Sequence, residues 1–143
     1  MDEYECLRLE NQLCFPLYVC AKEIVRRYKP FLDEIGLTYT QYIAMMVMWE
    51  HREITSKRMG EYLYLDSGTL TPVLKSLEKK GLVERARSKE DERNLILTLT
   101  KAGESLKDEA VKIPGKMFTC VNLDKESGAE LYGLLHKLLE SFD

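Results

Sequence analysis

Residues 55–100 constrain the fold more than any other stretch: "TSKRMGEYLYLDSGTLTPVLKSLEKKGLVERARSKEDERNLILTLT". Thr55 or Ser56 can cap a short helix ending near Leu63. Asp66 or Ser67 can cap a second one running to Lys80, where Gly81 supplies the stop. Leu70, Val73, Leu74 and Leu77 fall on one face of that second helix, and Pro72 sits within its first turns. "LVERAR" and "LILTLT" then alternate as strands around the charged "SKEDERN", a hairpin with a polar tip. Two short helices joined by a turn and followed at once by such a hairpin make a winged helix-turn-helix.

The flanking segments read as helices. Leu13, Leu17, Ala21, Ile24, Val25, Tyr28, Phe31 and Leu32 recur at helical spacing up to about Ile35, with Gly36 as the stop. Pro30 is a point at which this helix can kink. Pro16 either lies in the first turn, which puts Cys14 at the helix N-terminus, or kinks a helix that began earlier. Thr38 with Gln41 forms a capping box for a helix from Tyr39 to about His51, apolar nearly all round and therefore central. From Lys101 a fifth helix follows, which "IPG" at 113–115 interrupts or kinks. The last helix starts after Asp124 or after Ser127. Its stripe of Leu131, Leu134, Leu135, Leu138, Leu139 and Phe142, with that of the fifth helix, exceeds what a small winged helix can cover, which implies a homodimer. The expected architecture is mainly α: one domain, 1–143, of about six helices plus a β-hairpin wing. Within it, 38–100 is the DNA-binding part, and 7–36 with 101–142 the helical dimerisation part.

In a winged helix the second helix enters the major groove N-terminus first. Ser67, Thr69 and Thr71 stand there, with Lys75 a turn further on. The wing offers Lys89 and Arg93, an arginine able to enter a minor groove, with Asp91 placed to hold its guanidinium. The chain's net charge is −3. From Lys75 to Arg93, however, seven basic residues outnumber five acidic ones, and the distribution matters more than the sum.

No apolar run reaches the roughly 18 residues of a membrane span, and the acidic start "MDEYECLRLE" lacks a signal-type apolar region, so a cytoplasmic protein is expected. The four cysteines (Cys6, Cys14, Cys20, Cys120) include no C-x-x-C pair, and there are two histidines. That argues against a zinc site, and no cofactor is expected. Buried thiols or redox chemistry remain.

"LENQLCFPLY", "YKPFLDEIGLTYTQY", "MGEYLYLDSGTLTPVLKSLEKKGL" and "SKEDERNLILTLT" closely resemble the OhrR group of MarR transcriptional regulators, from about Leu9 to Lys116. The resemblance implies a dimeric repressor, not an enzyme, that leaves its operator when an organic hydroperoxide or related oxidant attacks one cysteine. By motif the sensor is Cys14 in "NQLCF". Tyr28 in "YKP" and Tyr39 in "LTYTQY" come from the partner subunit to hydrogen-bond its sulfur, and Tyr18 in "FPLY" is a third. The "DER" of the wing carries the minor-groove Arg93 and its supporting Asp91. The family often has an arginine after the recognition-helix lysine, where this chain has Ser76. Some OhrR-like proteins use a resolving cysteine of the opposite subunit in the region of Cys120, which implies an intersubunit Cys14–Cys120 disulfide. A small thiol capping Cys14 is the other outcome. The competing readings are a regulator released by a small aromatic ligand, a thiol peroxidase, and an interaction module without DNA.

The chemistry suits these residue types. An ordinary cysteine, with a pKa of about 8.5, is mostly thiol at neutral pH. Phenolic donors to sulfur and a helix N-terminus both favour the reactive thiolate.

Overall fold

The computed structural model describes residues 2–90 and 95–142. Two short 3₁₀ turns, Glu5–Leu7 and Leu9–Asn11, precede α1 (Cys14–Glu34). Then come α2 (Tyr39–His51), β1 (Glu53–Thr55), α3 (Ser56–Leu63), α4 (Ser67–Lys79), β2 (Val83–Arg87) and β3 (Leu95–Leu99). The chain closes with α5 (Lys101–Ala110), α6 (Ile113–Cys120) and α7 (Lys125–Glu140). Residues 7–13, expected to be part of a helical region, form 3₁₀ turns and a short lead-in instead.

The caps explain the boundaries. Pro16 is the third residue of α1, where a missing N–H costs nothing, so α1 begins at Cys14. Pro30 lies inside α1, which is nevertheless one continuous element. Gly36, at φ 70°, ends it: Leu37 N–H bonds to Leu32 C=O at 3.0 Å and Gly36 N–H to Asp33 C=O at 3.2 Å. Gly81, at φ 76°, ends α4 in the same way. Thr38 caps α2 through the expected box with Gln41. Thr55 and Asp66 cap α3 and α4. Asp124, not Ser127, caps α7: its carboxylate accepts from both the Ser127 N–H and the Ser127 hydroxyl.

One alternative left open by the sequence is decided and one feature differs from the sequence reading. The expected fifth helix is divided at Val111–Lys112 into α5 and α6, with Pro114 in the first turn of α6. The wing is not a lone hairpin, because β1 pairs with β3 and gives the antiparallel order β1-β3-β2, with Ile54 opposite Leu97.

The core centres on α2, whose Tyr42, Ala44, Met45 and Met48 are at most 1% exposed. Met59, Leu70, Leu74, Leu77, Val83 and Leu97 close round it from α3, α4 and the sheet. Leu32, Ile113 and Met117 complete it from α1 and α6. The Trp49 indole N–H donates to the Gly103 carbonyl at 2.8 Å and ties α5 to α2. By contrast, α7 buries none of its residues, and Leu32 is the one buried residue of α1. Leu134 and Phe142 are 66% and 68% exposed and Leu13 is 83% exposed, so a large apolar surface at the two chain ends has no cover within one chain.

Candidate functional site

Two separate groups of residues carry the expected chemistry. The first is the exposed face of α4 with the wing. Ser67, Thr69 and Lys75 are exposed along α4, as the groove-facing reading requires. Thr71 is half-buried and donates its hydroxyl to the Ser67 carbonyl at 2.6 Å, so its donor is used within the helix and only its lone pairs remain for another partner. Lys89 is exposed at the base of the tip; Asp91 and Arg93 lie outside the described residues. The wing is braced against α4 by Arg85, whose guanidinium donates to Glu78 at 3.1 Å. That bond holds the Glu78 carboxyl below the usual glutamate range. The Thr69 N–H and hydroxyl do the same to Asp66 at the start of α4. The turn between α3 and α4 is tight: a Cβ on Gly60 would stand 2.8 Å from the Leu65 carbonyl oxygen.

The second group surrounds the cysteine. Cys14 is the first residue of α1 and is exposed. Leu13 precedes it in helical conformation and offers no side-chain acceptor, so no cap competes for the first N–H groups of the helix beside the sulfur. Tyr18 lies one turn along the same face, exposed, with the Lys22 ammonium 5.4 Å from its ring centre.

Tyr28 and Tyr39 are brought together, their ring centroids 5.1 Å apart, one from the C-terminal half of α1 and one from the start of α2. Burial raises the pKa of both phenols. Each therefore keeps its proton, and stays a donor, throughout the neutral range. A third ring, Tyr42, lies beneath them at 5.7 Å and 6.3 Å and is 1% exposed. Burial and the neighbouring phenols push it up to about 12. The sequence reading had Tyr42 only as part of a buried helix; its position three residues after Tyr39, on the same helix face, was the available signal.

The structure does not bring Cys14 to these tyrosines within one chain. Fourteen residues of α1 separate Cys14 from Tyr28, about 21 Å along the axis. Cys120, the exposed last residue of α6, lies at the tyrosine end. There α6 packs on the C-terminal half of α1, with Lys116 3.1 Å from Glu34 and its ammonium over the Phe31 ring. A groove of about 400 Å³ between them is lined by Ile24, Tyr28, Met117, Phe118 and Val121. Tyr28, Tyr39 and Cys120 thus belong to one end of α1 and Cys14 to the other, so Cys14 does not reach the tyrosines of its own chain.

Comparison with known proteins places the chain among transcriptional regulators. The family model for the transcriptional regulators SarA/Rot matches residues 26–110. The organic hydroperoxide resistance transcriptional regulator of Bacillus subtilis is 50% identical over 143 residues, covering 98% of this chain and 95% of that protein. The regulator SarZ of Staphylococcus aureus is 41% identical over 94% of this chain and 92% of its own length. Among solved structures, reduced AbfR bound to DNA superposes with a TM-score of 0.84 at 33% identity, over 99% of this chain and 96% of that one. Disulfide-formed AbfR gives 0.64 at 34% identity, over 98% and 93%. No helix among the described residues is long and apolar enough to cross a membrane. The chain belongs to the SarA/Rot family of transcriptional regulators and, at 50% identity over nearly its whole length, to that of the organic hydroperoxide resistance transcriptional regulators.

Proposed function

We propose that this protein is a homodimeric repressor of transcription that acts in the cytoplasm, binds double-stranded operator DNA when reduced, and releases it when an organic hydroperoxide oxidises Cys14. The observation that carries the reading is the division of the sensor along α1, with an exposed cysteine at an uncapped helix start and a paired set of phenol donors some 21 Å away on the same chain. Two copies joined through the uncovered α1 and α7 faces can place each Cys14 sulfur against the partner's Tyr28 and Tyr39, with Tyr18 flanking it from its own helix. The higher similarity to reduced, DNA-bound AbfR than to its disulfide form supports a DNA-competent conformation for the chain described above.

In the reaction the Cys14 thiolate attacks one oxygen of the hydroperoxide. An S–O bond forms, the O–O bond breaks, and the alkoxide leaves and is protonated to the alcohol. Cys14 is oxidised to a sulfenic acid. The thiolate of the partner's Cys120 then attacks the sulfenic sulfur, forming the S–S bond and expelling hydroxide, which leaves as water. The position of Cys120 at the tyrosine end supports this pairing over the small-thiol outcome. Oxidised wild-type protein should run as a covalent dimer on a non-reducing gel, and Cys120→Ser should abolish that band. A monomer band from oxidised wild type, with a small thiol attached to Cys14, would overturn the Cys120 step and leave the sensing step in place.

On the DNA side, Ser67, Thr69, Thr71 and Lys75 face the major groove, and Lys89, Arg93 and its supporting Asp91 serve the wing. Arg93→Ala should weaken operator binding without altering the dimer, and wild-type binding should fall steeply with added salt. Unchanged operator affinity in Arg93→Ala, read by fluorescence anisotropy, removes the wing from the interface.

A further inference from the structure

Gln41 is the one buried polar side chain among the described residues, 7% exposed, and all its bonds run to places that matter for switching. Its oxygen accepts from the Thr38 backbone N–H at 3.1 Å and from the Lys80 ammonium at 2.8 Å. Its amide nitrogen donates to the Ser76 hydroxyl at 2.9 Å. The Lys80 ammonium also donates to the Gly36 carbonyl, at the exit of α1. Gln41 therefore lies between Tyr39 and Tyr42 on α2 and is hydrogen-bonded to the C-terminal turn of α4. Ser76 and Lys80 lie 35 and 39 residues away in the chain, so these bonds are tertiary and not a by-product of the helix.

We infer that Gln41 is a positioning residue that makes the first turn of α2, which carries the sensor tyrosine Tyr39, and the recognition helix α4 move as one body, with Ser76 and Lys80 as its partners. The inference rests on the sensor reading above. A buried amide with three hydrogen bonds made, two to its oxygen and one from its nitrogen, has a narrow set of tolerated positions, since sliding α2 against α4 would leave donor and acceptor unpaired out of water. A change at Tyr28 and Tyr39, when the partner's Cys14 is oxidised between them, thus reaches α4 through a contact that cannot stretch. Coupling of this kind is measured as the ratio of operator affinities in the two states. It also gives Ser76 a role: its small hydroxyl turns inward to Gln41.

The test is the double variant Ser76→Ala/Lys80→Met, which cuts both links to α4 and keeps the capping box of α2. Cys14 oxidation, followed by mass spectrometry, should proceed at the wild-type rate, and reduced-state operator affinity should stay within about twofold. The loss of affinity on oxidation should shrink about tenfold, within the usual range of coupling between sites. A merely structural role would lower the unfolding midpoint and leave that ratio untouched. An unchanged ratio in a folded dimer overturns the inference, provided Cys14→Ser abolishes release. Release that survives Cys14→Ser overturns the sensor reading itself, and this inference with it. If the double variant does not fold, Ser76→Ala alone, which removes one hydroxyl, is expected to show a smaller shift in the same direction, and no shift there overturns the inference equally.

Discussion

Gly103→Ala should cost the fold about 3 kcal/mol or more, although alanine is the better helix former by roughly 1 kcal/mol. Gly103 is buried in the first turn of α5, and a Cβ there would stand 2.3 Å from the Leu82 carbonyl oxygen and 2.7 Å from a methyl carbon of Leu99. The oxygen cannot retreat, because it already accepts the Thr100 N–H at 3.2 Å. Nor can α5 shift outward without loss: the Gly103 carbonyl holds the Trp49 indole, its N–H is capped by Thr100, and the Thr100 hydroxyl donates to Gly81 at 2.6 Å. Denaturant unfolding at one fixed protein concentration is the measurement, since dimerisation adds a concentration-dependent term. A midpoint equal to that of wild type would show that α5 does not press on the Leu82 strand entry as described.

Thr38 with Gln41, Thr55 and Asp66 each set a helix start that can be read from four neighbouring residues, and Gly36 and Gly81 set two helix ends the same way. Such signals are local, so the helix-turn-helix and the framework of α1 and α2 were legible in sequence. β1 was not, because "EIT" is too short to show alternation and is a strand only by pairing with β3, over forty residues on. The break between α5 and α6 was visible as "IPG", but the choice between kink and break depends on how Ile113 and Met117 seat in the core. For the site, local spacing left Cys14 either at a helix start or beside a kink at Pro16, a choice the start of α1 at Cys14 decides, while the roles of Tyr28 and Tyr39 came from motif resemblance. Their meeting, and the ring of Tyr42 beneath them, follow from the packing of α1 on α2. The links from Gln41 to Ser76 and Lys80 carry no sequence signal at all, because a hydrogen bond between residues so far apart leaves no periodicity behind.

The largest functional effect belongs to Cys14→Ser: a repressor that binds operator as wild type does and keeps it under organic hydroperoxide. Within one chain Cys14 is exposed at a helix start, so the smaller oxygen leaves no cavity in that chain's own core. A serine hydroxyl accepts the same phenolic hydrogen bonds as sulfur. It has no thiolate to attack an O–O bond, so the ratio of oxidised to reduced operator affinity should become one within about twofold. Undiminished release in this variant would place the sensing elsewhere. A mixed dimer tests the geometry as well as the residue. One chain carries Cys14→Ser with its tyrosines intact; the other carries Tyr28→Phe and Tyr39→Phe with its cysteine intact. If each site is built across two chains, as the distance along α1 requires, the mixed dimer holds one complete site, and its remaining Cys14 should oxidise at the wild-type rate. If a site were built within one chain, both would be damaged, and that thiol would oxidise as slowly as in the Tyr28→Phe/Tyr39→Phe homodimer.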